Sequence, residues 1–187
     1  GNLVVATGLS GLQILDTDTD MSLMDWMDAP GYAFDLAVSG NTAAVAADES
    51  GLHIYDITNP NDIGSPQAFD TPGFAYGVDI SGNHAYVADF DNGLVVVNIA
   101  DPANMTQAGT FNTNGFALGV AVEGNNAYVA DYDNGMRIIN ISNPASPTET
   151  GFFDTPGFAF GVAVSGNYAY IADYDYGLQI VDISTPA

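Results

Sequence analysis

Short runs of alternating apolar and polar side chains, each closed by glycine, proline or asparagine, recur along this chain, and their period of two marks strands rather than helices. One run makes the alternation plain. Leu52, Leu94, Met136 and Leu178 are followed by His53, Val95, Arg137 and Gln179, and these by Ile54, Val96, Ile138 and Ile180. The first and third sets are apolar throughout and belong to a core face, whereas the varied middle set is expected to face solvent. His84, which aligns with Thr42, Asn126 and Tyr168, is likewise expected at a solvated surface.

The runs come in groups of four. Gly31, Gly73, Gly115 and Gly157 open equivalent units 42 residues apart, and the opening LVVATGLSGLQILD fits the second half of the same unit. The chain therefore divides into a partial repeat 1–30, full repeats 31–72, 73–114 and 115–156, and a partial repeat 157–187. In the second full repeat the predicted strands a to d cover residues 75–80, 84–89, 94–99 and 107–111. A fixed period of short strands without helices predicts an all-β fold, a β-propeller of four-stranded antiparallel blades, with about five blades of which the terminal ones are incomplete. A β-solenoid is the rival, and its coils are usually shorter. A four-bladed ring, a longer ring, or blades completed by a neighbouring chain remain open alternatives.

Turn chemistry supports these boundaries. Gly11, Gly51, Gly93, Gly135 and Gly177 hold one position between strands b and c, while the preceding residue varies from Ser to Asn to Tyr. A type I turn followed by glycine in the left-handed region needs only that glycine, so it is preferred to an Asn-Gly turn. Asp16, Asp56, Asn98, Asn140 and Asp182 close strand c and are placed to accept backbone hydrogen bonds at the next turn.

Charge narrows the partners. With 23 acidic residues against one basic residue, the 187-residue chain carries a formal net charge of −22, which disfavours nucleic acid and anionic membranes and attracts cations. At 47% hydrophobic residues it can still bury a core as a single domain. There is no cysteine, which excludes disulfides and thiolate chemistry. No apolar run is long enough for a membrane helix, and the first residues lack a signal-peptide pattern, so no membrane insertion is expected.

The segment AYVADYDNGMRIINISNPASP, with its variant GLQIVDIS, resembles the LVIVD repeat, and four units carry the pattern in register. The resemblance implies a β-propeller and an extracellular or cell-surface location, mostly on bacteria or archaea and without an assigned activity. The first full unit departs from it, having Ala47, Asp48 and Glu49 where later units have Asp-x-Asp.

Candidate sites follow from the blade topology, which places the d–a and b–c connections at one end and the a–b and c–d connections at the other. One end then gathers Asp28, Asp70, Asn112 and Asp154 with the paired Asp89 and Asp91, Asp131 and Asp133, and Asp173 and Asp175. Such carboxylates suit calcium, a hard cation that takes several oxygens, although hairpin turns use the same residues to satisfy backbone donors. Tyr32, Phe74, Phe116 and Phe158 lie beside them. Acid next to ring suits a glycan, and packing between blades explains the same recurrence and is favoured. Trp26, the single tryptophan, is a candidate for covering an edge or an interface. Asn104 and Asn140 head glycosylation sequons. The carboxylates repeat by blade instead of forming one asymmetric pair, and no lysine or thiolate is present, so no enzyme is expected. The function expected is a protein-interaction or structural module, a homo-oligomer or filament joined head-to-tail, with calcium-dependent ligand or glycan binding as the alternative.

Overall fold

The computed structural model describes residues 2–9, 11–18, 22–27 and 31–184; Asp28 lies outside them. The first sheet has three strands, β1 (Asn2–Ala6), β2 (Leu12–Asp16) and β3 (Ser22–Met27). Three four-stranded sheets follow: β4 (Asp35–Ser39), β5 (Thr42–Ala46), β6 (Leu52–Asp56) and β7 (Gln67–Phe69); then β8 (Gly77–Ser81), β9 (His84–Ala88), β10 (Leu94–Asn98) and β11 (Thr106–Phe111); then β12 (Gly119–Glu123), β13 (Asn126–Ala130), β14 (Met136–Asn140) and β15 (Thr148–Phe153). The last sheet again has three, β16 (Ala159–Ser165), β17 (Tyr168–Asp173) and β18 (Gly177–Asp182). All neighbours pair antiparallel in sequence order, so each sheet is a meander and the five are blades of a β-propeller.

Each of the three interior blades is covered on both faces by its neighbours, and alternate residues of one strand serve two different cores. On β10, Val95 and Val97 pack with Ala44, Ala46, Leu52 and Ile54 of the preceding blade. Leu94 and Val96 instead pack with Ala127, Val129, Ile139 and Ile141 of the following one. Equivalent cores join the first blade to the second and the fourth to the fifth. Among the described residues these four cores link five blades, and no core links the first blade to the fifth. Burying a side chain of this kind contributes about 1.5–3 kcal/mol, so a blade depends on its neighbours more than on its own hydrogen bonds.

This two-sided burial corrects the expected outward face of strand c. His53 is only 1% exposed, and Val95 is fully buried. An alternating strand has a wet face only where one face of its sheet meets water, which an interior blade does not provide. Burial lowers the His53 pKa, against an opposing contact from its Nε2 to the Ser50 carbonyl at 3.2 Å. His84 is half-buried, with its ring 6.4 Å from that of Tyr86.

Among the innermost strands β4, β8, β12 and β16, β8 and β12 approach the next blade closely enough to require glycine. A Cβ on Gly77 would lie 2.9 Å from the Gly119 Cα and the Leu118 carbonyl oxygen, and one on Gly119 would lie 3.1 Å from the Gly161 Cα. Aspartates clasp the same strands: Asp35 Oδ2 accepts from Val78 N at 3.0 Å, and Asp79 Oδ2 from Val122 N at 2.7 Å, each across a blade boundary. Gly77→Ala should therefore destabilise the fold by about 1–3 kcal/mol, read from denaturant unfolding. Gly161→Ala, whose added methyl would meet only the Ala172 Cβ at 3.9 Å, should be tolerated. Equal losses at the two positions would contradict this packing.

Candidate functional site

The b–c turns and d–a loops lie together at one end of the blades, as the meander requires. In the third blade, Asp89 N donates to Gly93 O at 2.8 Å, Asn92 N to Asp89 O at 3.0 Å and Gly93 N to Phe90 O at 3.2 Å. Gly93 has φ 73°, the left-handed conformation expected of this glycine. A second left-handed residue was not foreseen. Phe90, with φ 51°, turns its backbone toward the next blade, donating to Ala117 O at 3.1 Å and accepting from Ala117 N at 2.9 Å. Tyr132 repeats this exchange with Ala159, and Asp48 with Ala75. The residue type gave no signal for it, since Asp48 holds the same backbone at φ 54° without a ring.

The first aspartate of each Asp-x-Asp pair ties the adjoining d–a loop to its own blade. Asp89 Oδ2 accepts from Gly73 N at 2.8 Å, and Asp173 Oδ2 from Gly157 N at 3.1 Å. Asp131 takes the Thr113 hydroxyl on one oxygen and Asn134 Nδ2, at 3.3 Å, on the other. All three are buried, whereas Asp91, Asp133 and Asp175 are exposed at the rim. The pairs are thus split between an internal latch and a solvated edge. Among the described residues no three His, Asp or Glu side chains converge as cation ligands.

Burial pushes the Asp131 carboxyl up to about 6, against hydrogen bonds from Thr113 and Asn134 and the positive charge of Arg137, whose Nε lies 3.8 Å away. Asp89 is raised for the same reason, opposed by Thr71 and the Gly73 N–H.

Above the latches the rings join into a ribbon. Phe34 stacks on Tyr76 at 4.4 Å between centroids, Tyr76 on Phe90 at 5.4 Å, and Phe90 on Phe116 at 4.4 Å with planes 7° apart. Tyr132 stacks on Phe158 at 4.4 Å and 5°, and it meets Phe160 edge-on at 5.7 Å. Tyr32 extends the ribbon at one end through Phe34, and Phe74 flanks it edge-on to Phe90. The expected packing between blades is present, yet Tyr32, Phe74 and Phe116 remain 44%, 38% and 40% exposed. Two recesses notch the rim. One, about 420 Å³, is lined by Glu49, Asp70, Pro72 and Phe74, and the other, about 610 Å³, by Asp133, Pro156, Phe158, Asp175 and Tyr176.

The remaining candidates lie elsewhere. Trp26, 49% exposed, pairs with Gln13 on the outer face of the first blade. Asn104 is exposed in a 3₁₀ turn and donates to Asp101 Oδ2 at 2.8 Å. Asn140 Oδ1 accepts from Ser142 N at 3.0 Å and Ser142 Oγ at 2.6 Å, the turn role its position suggests.

The repeat places the chain by sequence as well as by fold. The LVIVD repeat profile matches residues 30–71, 72–113, 114–155 and 156–187, and the chain belongs to that family. No curated protein sequence matches it. Solved structures show the same fold: the computationally designed Ika8 protein is similar with a TM-score of 0.77 at 13% identity, over 97% of this chain and 55% of that one. The WD40 domain of Neurospora crassa Pan2 is similar at 0.72 and 14% identity, over 100% of this chain and 60% of that one, and the designed Ika4 protein at 0.69 and 11%, over 86% and 96%. The chain thus spans a little over half the length of Ika8 and of the Pan2 domain.

Raised carboxyl pKa values set the sign of the pH dependence. Because Asp131 binds its proton more tightly folded than unfolded, its contribution is complete below about pH 3.9 and is lost as pH rises to about 6. Asp89 and Asp35 act in the same direction. Asp56 and Asp182, held low by Thr58 and Ser184, oppose this only as pH falls through the ordinary aspartate range, and buried His53, held low, opposes it as pH falls below the ordinary histidine value, one group against three. The melting temperature should therefore be higher at pH 5 than at pH 7, and Asp131→Asn should reduce that rise. An unchanged pH profile in the variant would assign the rise to relief of the net charge instead.

Proposed function

We propose that this protein is a non-enzymatic interaction and assembly module whose two end faces dock copies head-to-tail, in an extracellular or cell-surface setting. One observation carries the proposal. Leu178 and Ile180 are 63% and 59% exposed, although their equivalents Leu94 and Val96 are fully buried by a following blade. With Tyr170 and Ala172 opposite them across the strand pair, they form an apolar sheet face with a recess of about 410 Å³ bounded by Phe160, Tyr174 and Leu178.

The first blade offers the matching half. Leu3, Leu23 and Trp26 are 42%, 51% and 49% exposed on the side where later blades contact a predecessor. These two surfaces are the halves of a contact that forms four times within the molecule, so joining them uses packing the sequence already encodes. The symmetry is heterologous, and such contacts propagate unless the rotation closes. The resemblance behind the proposed location is supported by a net charge of −22, a surface suited to a saline environment that screens its self-repulsion.

Light scattering should show a mass that grows with protein concentration at moderate salt. Leu178→Asn with Ile180→Thr should hold the protein monomeric. Emission from Trp26, at the opposite end of the molecule, should shift to the blue on association in the wild type only. A wild-type chain that stays monomeric at every concentration overturns the reading.

A further inference from the structure

We propose that the loop face is a docking surface for an arginine-rich segment of another protein. Like the preceding reading, it treats the protein as an interaction module, but it uses a different surface and does not require the end faces.

Three features of this face point to a cationic, planar partner. First, the rings are stacked and still partly exposed. Phe90, Phe116, Tyr132 and Phe158 form a ribbon across blade boundaries in which Phe116 is exposed and the other three are half-buried, and such rings attract a guanidinium by their quadrupole. Second, carboxylates stand beside the rings in separate recesses. Glu49 and Asp70 flank Phe74 in one, and Asp133 and Asp175 flank Phe158 and Tyr176 in the other. Each recess offers two acceptors against an aromatic wall, the pairing that suits arginine, which can bond a carboxylate with its edge and stack with its plane. Third, the two recesses sit at equivalent places two blade boundaries apart, with the ring of Phe116 at the boundary between them.

Charge also excludes a second copy as the occupant of this face. Arg137 is the single basic residue in the chain, and it is committed to Glu149 at 3.2 Å and to the Phe152 ring at 5.1 Å. A net charge of −22 repels another molecule of the same kind and draws in a polycation. The partner must therefore supply the positive charge. The buried latches are unaffected by such binding, since Asp89, Asp131 and Asp173 point into the loops and leave Asp91, Asp133 and Asp175 at the rim.

The test is fluorescence anisotropy at physiological ionic strength with three labelled probes: oligoarginine, oligolysine of equal length and a neutral glycine–serine peptide. It is run on the Leu178→Asn/Ile180→Thr background, so that failure of end-to-end assembly and failure of peptide binding are read separately. Oligoarginine should bind more tightly than oligolysine, and the neutral peptide should not bind. Phe116→Leu, which leaves the charge unchanged, should weaken oligoarginine by about fivefold. Phe74→Leu should act in the same direction and stands in should the first variant fold poorly. Asp133→Asn with Asp175→Asn should weaken binding more than Asp62→Asn with Glu123→Gln, an equal change of charge at the opposite end of the blades. Equal affinity for the two cationic peptides, no effect of either ring substitution, or equal loss from the two charge-matched pairs would each overturn the proposal, leaving general attraction to a polyanion.

Discussion

Two-sided burial of each interior blade is the constraint on which the other features rest. An interior sheet in this fold has a neighbour on both faces, so four consecutive residues of each of β5, β9 and β13 are buried, and the chain meets that demand with alanine and valine, joined by Tyr86 and Tyr128. The same crowding reaches the inner strands, where Gly77 and Gly119 admit the next backbone. Charge then has few places to go. Among the described residues the acidic side chains collect at turns, loops and rims or are tied into hydrogen bonds, and none belongs to the four apolar cores. Self-repulsion is spread over the surface and is open to screening.

One short motif performs three tasks in that setting. In Asp-Phe-Asp-Asn-Gly, residues 89–93, the first aspartate holds the d–a loop, the phenylalanine pairs its backbone with the next blade, and the glycine reverses the chain. The left-handed backbone at Phe90 costs of order 1–3 kcal/mol for a non-glycine residue, offset by two bridging hydrogen bonds and a ring stacked 4.4 Å from Phe116. Where Ala47 replaces the first aspartate, the turn retains its Asp48 bridge to Ala75, so the latch within a blade and the bridge between blades are separable. The second aspartate takes no part in either and is free to define the character of the rim.

Much of this was legible in the sequence because the repeat fixes equivalent positions five times over. Blade boundaries, the meander, the left-handed glycines and the grouping of loops by end all follow from period and turn chemistry, and the observed β8 to β11 lie within about two residues of the runs at 75–111. Burial of His53 was not legible, because alternation distinguishes the two faces of a strand without telling whether the second face meets water or another sheet. The start of strand a shows the same limit: Ala75 pairs with Asp48 of the preceding blade, a contact that no local pattern announces. The Asp-x-Asp pairs looked like one kind of carboxylate, and only packing separates a buried latch such as Asp131, raised to about 6, from an exposed rim residue such as Asp133.

The end faces and the loop face differ in the physics that would fill them, and this makes their proposed occupants separable in solution. Apolar burial between Leu178, Ile180 and the Leu3, Leu23 and Trp26 side of a second copy must overcome repulsion between two molecules of charge −22, so added salt favours it. A cationic segment on the aromatic rim is drawn by that same charge, so added salt weakens it, while the ring contacts keep a part of the affinity that screening leaves in place. Ionic strength therefore acts with opposite sign on the two contacts. A bound polycation also neutralises charge, which lowers the repulsion between copies, so occupancy of the loop face would promote assembly at the ends without any change in blade geometry.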